Sequence, residues 1–203
     1  MGKKELSGRL NWERLAGEKA ANAEQNLYKA FEAAFEGTKY KLLRKPKHLN
    51  NLYSSVKLSD ETLKAIYNPT DVDLKKKKWG VAPDFAIENT ETGKILFGEI
   101  KRQDGWVEGK KPSAGRGNVH ERSCKLFTPG LMKVYKEIGK IDSDDILPFW
   151  VVFEGDITRD PKRVREITFW YDSFTSNYFF WRPGETAEPL VKHFNDHLKQ
   201  YLD

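Results

Sequence analysis

In the stretch PDFAIENTETGKILFGEIK (83–101), two carboxylates, Asp84 and Glu99, and one ammonium, Lys101, stand among Phe, Ile, Leu, Ala and Gly. A charge in apolar surroundings costs free energy unless something compensates it. The residues TETG at 90–93 suit a four-residue hairpin loop, which sets residue 89 opposite 94, 88 opposite 95 and 84 opposite 99. Directly opposed Cβ atoms lie about 4.5–5.5 Å apart, where like charges destabilise the pair. The two-residue period of a strand puts Lys101 on the face of Glu99 and turns Leu96, Gly98 and Ile100 to the other. A divalent cation bound to oxygens removes the repulsion, and Mg²⁺ characteristically takes one or two carboxylates with water and phosphate oxygens. The hairpin therefore reads as half of a metal site, with a substrate phosphate as the other half. The competing reading is an edge hairpin whose Glu99 and Lys101 face water.

Past Lys101, Gly105, Gly109, Gly115 and Gly117 with Pro112 interrupt regular structure, so 103–117 reads as a long loop, and long loops in compact domains are usually functional or disordered. A helix is expected from Asn118, a good N-cap, with Glu121 completing a capping box. Asn118 and Arg122, four apart, then share a face at a helix start, where backbone N–H groups favour phosphate. Asn can read adenine through N6 and N7, and Arg can read purine acceptors in the major groove. Capping and base reading compete for the same Asn118 side chain.

Charge points the same way. The chain has 35 Lys+Arg against 30 Asp+Glu, net +5. Between 101 and 125, Lys101, Arg102, Lys110, Lys111, Arg116, Arg122 and Lys125 face only Asp104, Glu108 and Glu121. Further basic clusters are TKYKLLRKPKH (38–48), KKKK (75–78) and TRDPKRVR (158–165). Each alone suits a solvated surface; together they tilt toward a nucleic-acid partner.

Elements must hold these groups in place. At 203 residues, with 12 Phe, 8 Tyr and 6 Trp, the chain suits one sizeable domain whose aromatics are mostly core. Residues 21–35 place Leu27, Ala30, Phe31, Ala34 and Phe35 on one helical face ended by Gly37. A basic, Pro-containing connection and a short helix near 60–67, capped by Ser59, follow. Strands are expected in GVAPDFAIE, KILFGEIK, LPFWVVFEGDI (147–157), EITFWYD (166–172) and NYFFWRP (177–183). The C-terminal segment returns to helical spacing through Leu190, Val191, Phe194, Leu198 and Tyr201. Helices flanking a central mixed sheet make an α/β domain.

The remaining chemistry-bearing residues have plainer readings. A single cysteine, Cys124, forms no internal disulfide, suits a reducing cytoplasm and reads as a small buried residue. His193 and His197 have the spacing of a zinc pair without a third ligand, and are expected on a surface helix. His120 reads as a solvated helix position, with a phosphate contact as the alternative. No run approaches the roughly 20 apolar residues that span a bilayer.

The spacing PD-x14-E-x-K followed by GRGNVHERSCK resembles the EcoRI branch of type II restriction endonucleases, within the PD-(D/E)xK nuclease superfamily, and the likeness spans nearly the whole chain. The resemblance implies a restriction-endonuclease-like α/β fold in a single domain, 1–203, with a core hairpin at 79–103 and a DNA-recognition loop and helix start at 104–125. It implies a cytoplasmic homodimer of a prokaryotic host, paired with a methyltransferase guarding the same site. Its reaction would be Mg²⁺-dependent cleavage of double-stranded DNA after the first C of CAATTG, leaving 5′-phosphate ends with 5′-AATT overhangs; GAATTC shares the inner tetranucleotide. Carried onto this sequence, Asp84 and Glu99 would hold Mg²⁺ and Lys101 would position or activate water. Asn118 and Arg122 would contact inner adenines, and Arg116 would discriminate the outer C·G pair. Gly117 and Val119 belong to the same reading segment, Val119 standing where the branch leads one to expect the smaller Ala. Glu24, on the apolar side of the first helix, is an additional candidate acid. Two rivals remain, a repair or junction nuclease that reads shape and a non-catalytic DNA-binding protein. The Asn118, Arg122 and Arg116 set speaks against the former, and the intact acids and lysine against the latter.

Overall fold

The segment FWVVFE is apolar at all but its last position, and as strand β4 (Phe149–Glu154) it is buried throughout, as a central strand covered on both faces must be. The computed structural model describes residues 2–66, 79–104, 120–182 and 184–203, with side chains from Gly17 onward. β4 pairs in parallel with β3 (Ile95–Arg102) on one side and β5 (Tyr178–Trp181) on the other. Beyond β3 lie β2 (Phe85–Asn89) and β1 (Tyr40–Arg44), both antiparallel, giving the order β1-β2-β3-β4-β5. The expected mixed sheet of an α/β fold is present.

Helices cover both faces. On one, α1 (Gly2–Phe35) and α5 (Glu188–His193) pack Leu27, Phe31, Phe35 and Leu190 against Leu42, Phe85, Leu96 and Trp150. Ala23 and Tyr28 join the buried row of α1, whereas Ala34, expected in it, is exposed. On the other, α3 (Pro129–Gly139) and α4 (Pro161–Tyr171) bring Leu131, Tyr135, Ile167 and Tyr171 to Phe97, Phe149, Val151 and Phe153. Alternation along β3 thus sends Leu96 and Ile100 toward α1, and Ile95 and Phe97 toward α3.

Three expectations need correction. EITFWYD is the last part of α4, not a strand. Asp160 caps that helix by accepting from the amides of Lys162 and Arg163, and Pro161 fits its first turn. YKLLR, read as part of a basic connection, is edge strand β1, with Tyr40 and Leu42 buried and Lys41 exposed. The C-terminal segment is α-helical only to His193, then continues as a π turn (Phe194–Leu198) and a 3-10 turn (Lys199–Tyr201). The short helix α2 (Asp60–Ala65) does start on Ser59, whose side chain accepts from the Thr62 amide. The run KKKK at 75–78 lies outside the described residues. Among the described residues no helix is long and apolar enough to cross a membrane.

Candidate active site

The β2–β3 register decides whether the two acids meet. Phe85 pairs with Gly98, Ala86 with Phe97, Ile87 with Leu96 and Glu88 with Ile95, and the amide of Asn89 donates to Lys94 O at 3.0 Å across the turn. The expected pairing holds, so Asp84 sits one step beyond the ladder, opposite Glu99. Lys101 Nζ bonds Glu99 Oε2 and lies 3.9 Å from Asp84 Oδ2, so all three charges share one face.

Each group is held from the backbone outward. Asp84 O accepts from the Tyr28 hydroxyl at 2.9 Å and from the Lys45 amide at 3.0 Å, and its Oδ2 accepts from the Ile100 amide at 2.8 Å. Glu99 is 4% exposed, and its Oε1 is buried with no hydrogen-bond partner among the described residues. An acceptor so placed costs free energy, and a cation is the group that would satisfy it. Among the described residues no three or more His, Cys, Asp or Glu side chains form a metal cage. The two carboxylates present, Asp84 and Glu99, would fit a Mg²⁺ whose other positions are taken by water or substrate oxygen.

Glu24 also reaches this region. Its Oε2 accepts from the Tyr28 hydroxyl at 3.3 Å and pairs with Lys45 Nζ at 3.4 Å. Burial, then the charges of Glu24 and Asp84, push the Tyr28 pKa up, keeping the phenol a neutral donor. Glu24, Ala20, Ile100, Lys101, Arg102 and Arg122 line a depression of about 230 Å³. At its side Arg102 bonds Glu154 and Asp104, the latter at 2.8 Å, and Lys19 lies 3.4 Å from Asp104. Sequence reasoning missed Tyr28 and the Arg102–Glu154 pair. Tyr28 was within reach, one helical turn from Glu24; Glu154 was not, because only the parallel register of β3 with β4 sets it opposite Arg102.

Arg116, Gly117, Asn118 and Val119, and with Asn118 the capping end of the expected box and most of the expected 103–117 loop, lie outside the described residues. Arg122 is described and exposed, but its helix is a 3-10 segment, Glu121–Phe127. Side chains three apart then share a face. His120, Ser123 and Leu126 are buried, while Glu121, Arg122, Cys124 and Lys125 are exposed. This overturns two expectations: His120 is not solvated and Cys124 is not buried. His120 instead donates from Nε2 to Glu166 Oε2 at 3.1 Å and stacks on Trp170. His193 is not simply on a surface either. It stacks on Trp150 and donates to Ser176 O at 2.8 Å.

Comparison with known proteins decides the family. The family model described as "Type II restriction enzyme MunI" matches residues 1–203. The chain belongs to the MunI family of type II restriction enzymes. It is 72% identical to the type II restriction enzyme MunI of Mycoplasma sp over 203 residues, covering 100% of both chains. It superimposes with a TM-score of 0.82 on a crystal structure of MunI restriction endonuclease in complex with cognate DNA, at 71% identity, covering 95% of this chain and 98% of that one. The family resemblance carried by the PD-x14-E-x-K and GRGNVHERSCK segments is thereby borne out, as is the mixed-sheet fold.

Proposed function

We propose that this type II restriction enzyme hydrolyses double-stranded DNA in a Mg²⁺-dependent reaction at C^AATTG, leaving 5′-phosphate ends with 5′-AATT overhangs. The observation that carries the reading is the convergence of Asp84, Glu99 and Lys101 on one face, with a buried Glu99 oxygen that has no partner among the described residues. Asp84 and Glu99 would hold the Mg²⁺, which when bound would supply charge stabilisation to the phosphorane-like transition state and the leaving 3′ oxygen. Lys101, paired with Glu99 and close to Asp84, orients the attacking water beside the scissile phosphate. Glu24, across the depression and tied to Asp84 through Tyr28, is the additional acid.

Arg122 opens onto the same depression as Lys101, a placement that supports base reading close to the cleaved bond. Arg122 and Asn118 contact inner adenines, Arg116 discriminates the outer C·G pair, and Gly117 and Val119 complete the reading segment within 104–125. A palindromic site suits a homodimer with one catalytic unit per strand. The enzyme works in the cytoplasm of a prokaryotic host beside a methyltransferase that protects the same sequence. The fully matched MunI relative and its crystal structure with cognate DNA support this reading.

The test is to incubate purified protein with plasmid DNA and Mg²⁺ and sequence the ends. Discrete fragments with 5′-AATT overhangs flanked by C·G pairs are expected. Fragments from GAATTC correct the outer pair, nicking that follows DNA shape points to a junction nuclease, and retardation without cleavage removes the catalytic assignment.

A further inference from the structure

We infer that His120 is a positioning residue for Arg122, acting through its hydrogen bond to Glu166 on α4; the inference rests on the reading of Arg122 as a base-contacting residue. The 3-10 segment that carries Arg122 has a three-residue period, so the residues filling its buried row set its rotation about its own axis. That row is His120, Ser123 and Leu126. Leu126 is apolar and Ser123 turns back on His120 O, with its hydroxyl at 2.6 Å and its amide at 3.1 Å. Ser123 also faces the Tyr171 hydroxyl of α4, and at the end of the row next to Arg122 the tie to α4 is the His120 side chain.

The imidazole is fully buried, lies parallel to the Trp170 ring at 5.4 Å and 6°, and donates to Glu166 Oε2 at 3.1 Å. Nδ1 has no hydrogen-bond partner among the described residues, so Glu166 is the ring's directional constraint. Glu166 is itself fixed, by Arg163 at 2.6 Å and Lys162 at 3.7 Å. Behind it α4 is anchored by the Asp160 cap and by buried Ile167 and Tyr171. The causal line runs from α4 through Glu166 and His120 to the phase of the 3-10 turn, and hence to the direction in which Arg122 emerges beside Lys101. Removing the bond loosens the buried row at the end next to Arg122, while Ser123 and Leu126 still hold its other end, and an arginine that reaches a base edge only in one direction loses discrimination before it loses contact with DNA.

The experiment compares kcat/KM at CAATTG with kcat/KM at sites carrying one changed inner base, for wild type, His120→Ala, Glu166→Ala and His120→Gln. A merely structural role lowers the melting temperature and the fraction of active enzyme, but leaves this ratio alone. We expect the ratio to fall about tenfold in His120→Ala and in Glu166→Ala, as for a weakened bidentate base contact. In His120→Gln, whose amide can donate from nearly the same place, it should stay within about threefold of wild type, a fraction of one such contact. Should His120→Ala fail to fold, Glu166→Ala decides, since it alters a partly exposed side chain. Wild-type protein that leaves DNA intact overturns the proposed function itself. Wild-type cleavage with an unchanged ratio in the folded Ala variants, or with the Gln variant as defective as Ala, overturns this inference alone.

Discussion

The backbone amide of Ile100 donates to Asp84 Oδ2 over 2.8 Å, so the orientation of one acid is fixed by the strand that carries the other. Asp84 precedes β2 and Glu99 lies within β3, and this bond crosses between them at the point where the ladder ends. Lys101 screens the two like charges from each other, yet one Glu99 oxygen stays buried with no hydrogen-bond partner among the described residues. That oxygen supports the proposal that a cation completes the hairpin.

Glu99→Gln tests that arrangement. The amide has nearly the same shape but lacks the charge proposed to hold Mg²⁺, so cleavage should fall by about three orders of magnitude, the equivalent of several kcal/mol of lost charge stabilisation. Specific binding should remain detectable by gel retardation, because no base contact is removed. Undiminished single-turnover cleavage would sink the metal-site argument.

Arg122→Ala addresses recognition. Loss of a bidentate base contact should cost about 1–3 kcal/mol of discrimination between the cognate site and sites with one changed inner base. Titrations against cognate and random duplexes measure it. Equal losses on both would show that Arg122 touches phosphate instead.

Much of this was legible in the sequence, for reasons that differ by residue. The hairpin could be counted because a two-residue period and a four-residue turn leave one register, and Asp84 and Glu99 follow from it. α4 was misread because Ile167, Phe169 and Tyr171 alternate with Thr168 and Trp170 in a strand-like way; its true signal was the Asp160–Pro161 start, hidden inside a basic run. β1 was hidden by the same kind of charge, with lysines at 39, 41 and 45 around a short edge strand. His120 and Cys124 are exchanged between core and surface because residue type is the guide to Cys124 and an α-helical position the guide to His120, where the chain takes a 3-10 turn. No local pattern distinguishes those periods over seven residues; the packing of Ser123 and Leu126 against the domain does.

Gly98→Ala should destabilise the protein. A Cβ at position 98 would stand 2.1 Å from Phe85 Cζ, and Phe85 is the cross-strand partner of Gly98. The Phe85 ring is fully buried and packs edge-on against Trp150 at 5.8 Å, so it has little room to yield. Overpacking of this kind costs about 1–3 kcal/mol, readable as a lower urea midpoint with an unchanged slope. A midpoint equal to wild type would show that the ring can move aside.

Acid should weaken the fold through two histidines before it reaches the carboxylates. Burial, with Arg163 next, lowers the pKa of His120, and burial lowers that of His193 despite its bond to Ser176 O. In the unfolded chain both return to the ordinary value near 6.5. Above about pH 7.5 both states are neutral there and the two residues contribute no pH dependence. As pH falls through about 6.5, the unfolded state takes up protons that the native imidazoles refuse, so stability declines toward the lower native values. The carboxylates held below their usual range, Asp144 by Lys136, Asp196 by Lys192, Asp203 by Tyr40 and Lys39, and Glu166, where burial is outweighed by Arg163, lose their contributions only below about pH 4.5, where unfolded acids titrate. Denaturation midpoints should therefore be level from pH 8 to about 7.5 and fall between about 7 and 5.5. In His120→Gln that fall should be shallower, because one of the two buried imidazoles is gone. An equally steep fall in the variant would assign the whole slope to His193 or to other groups.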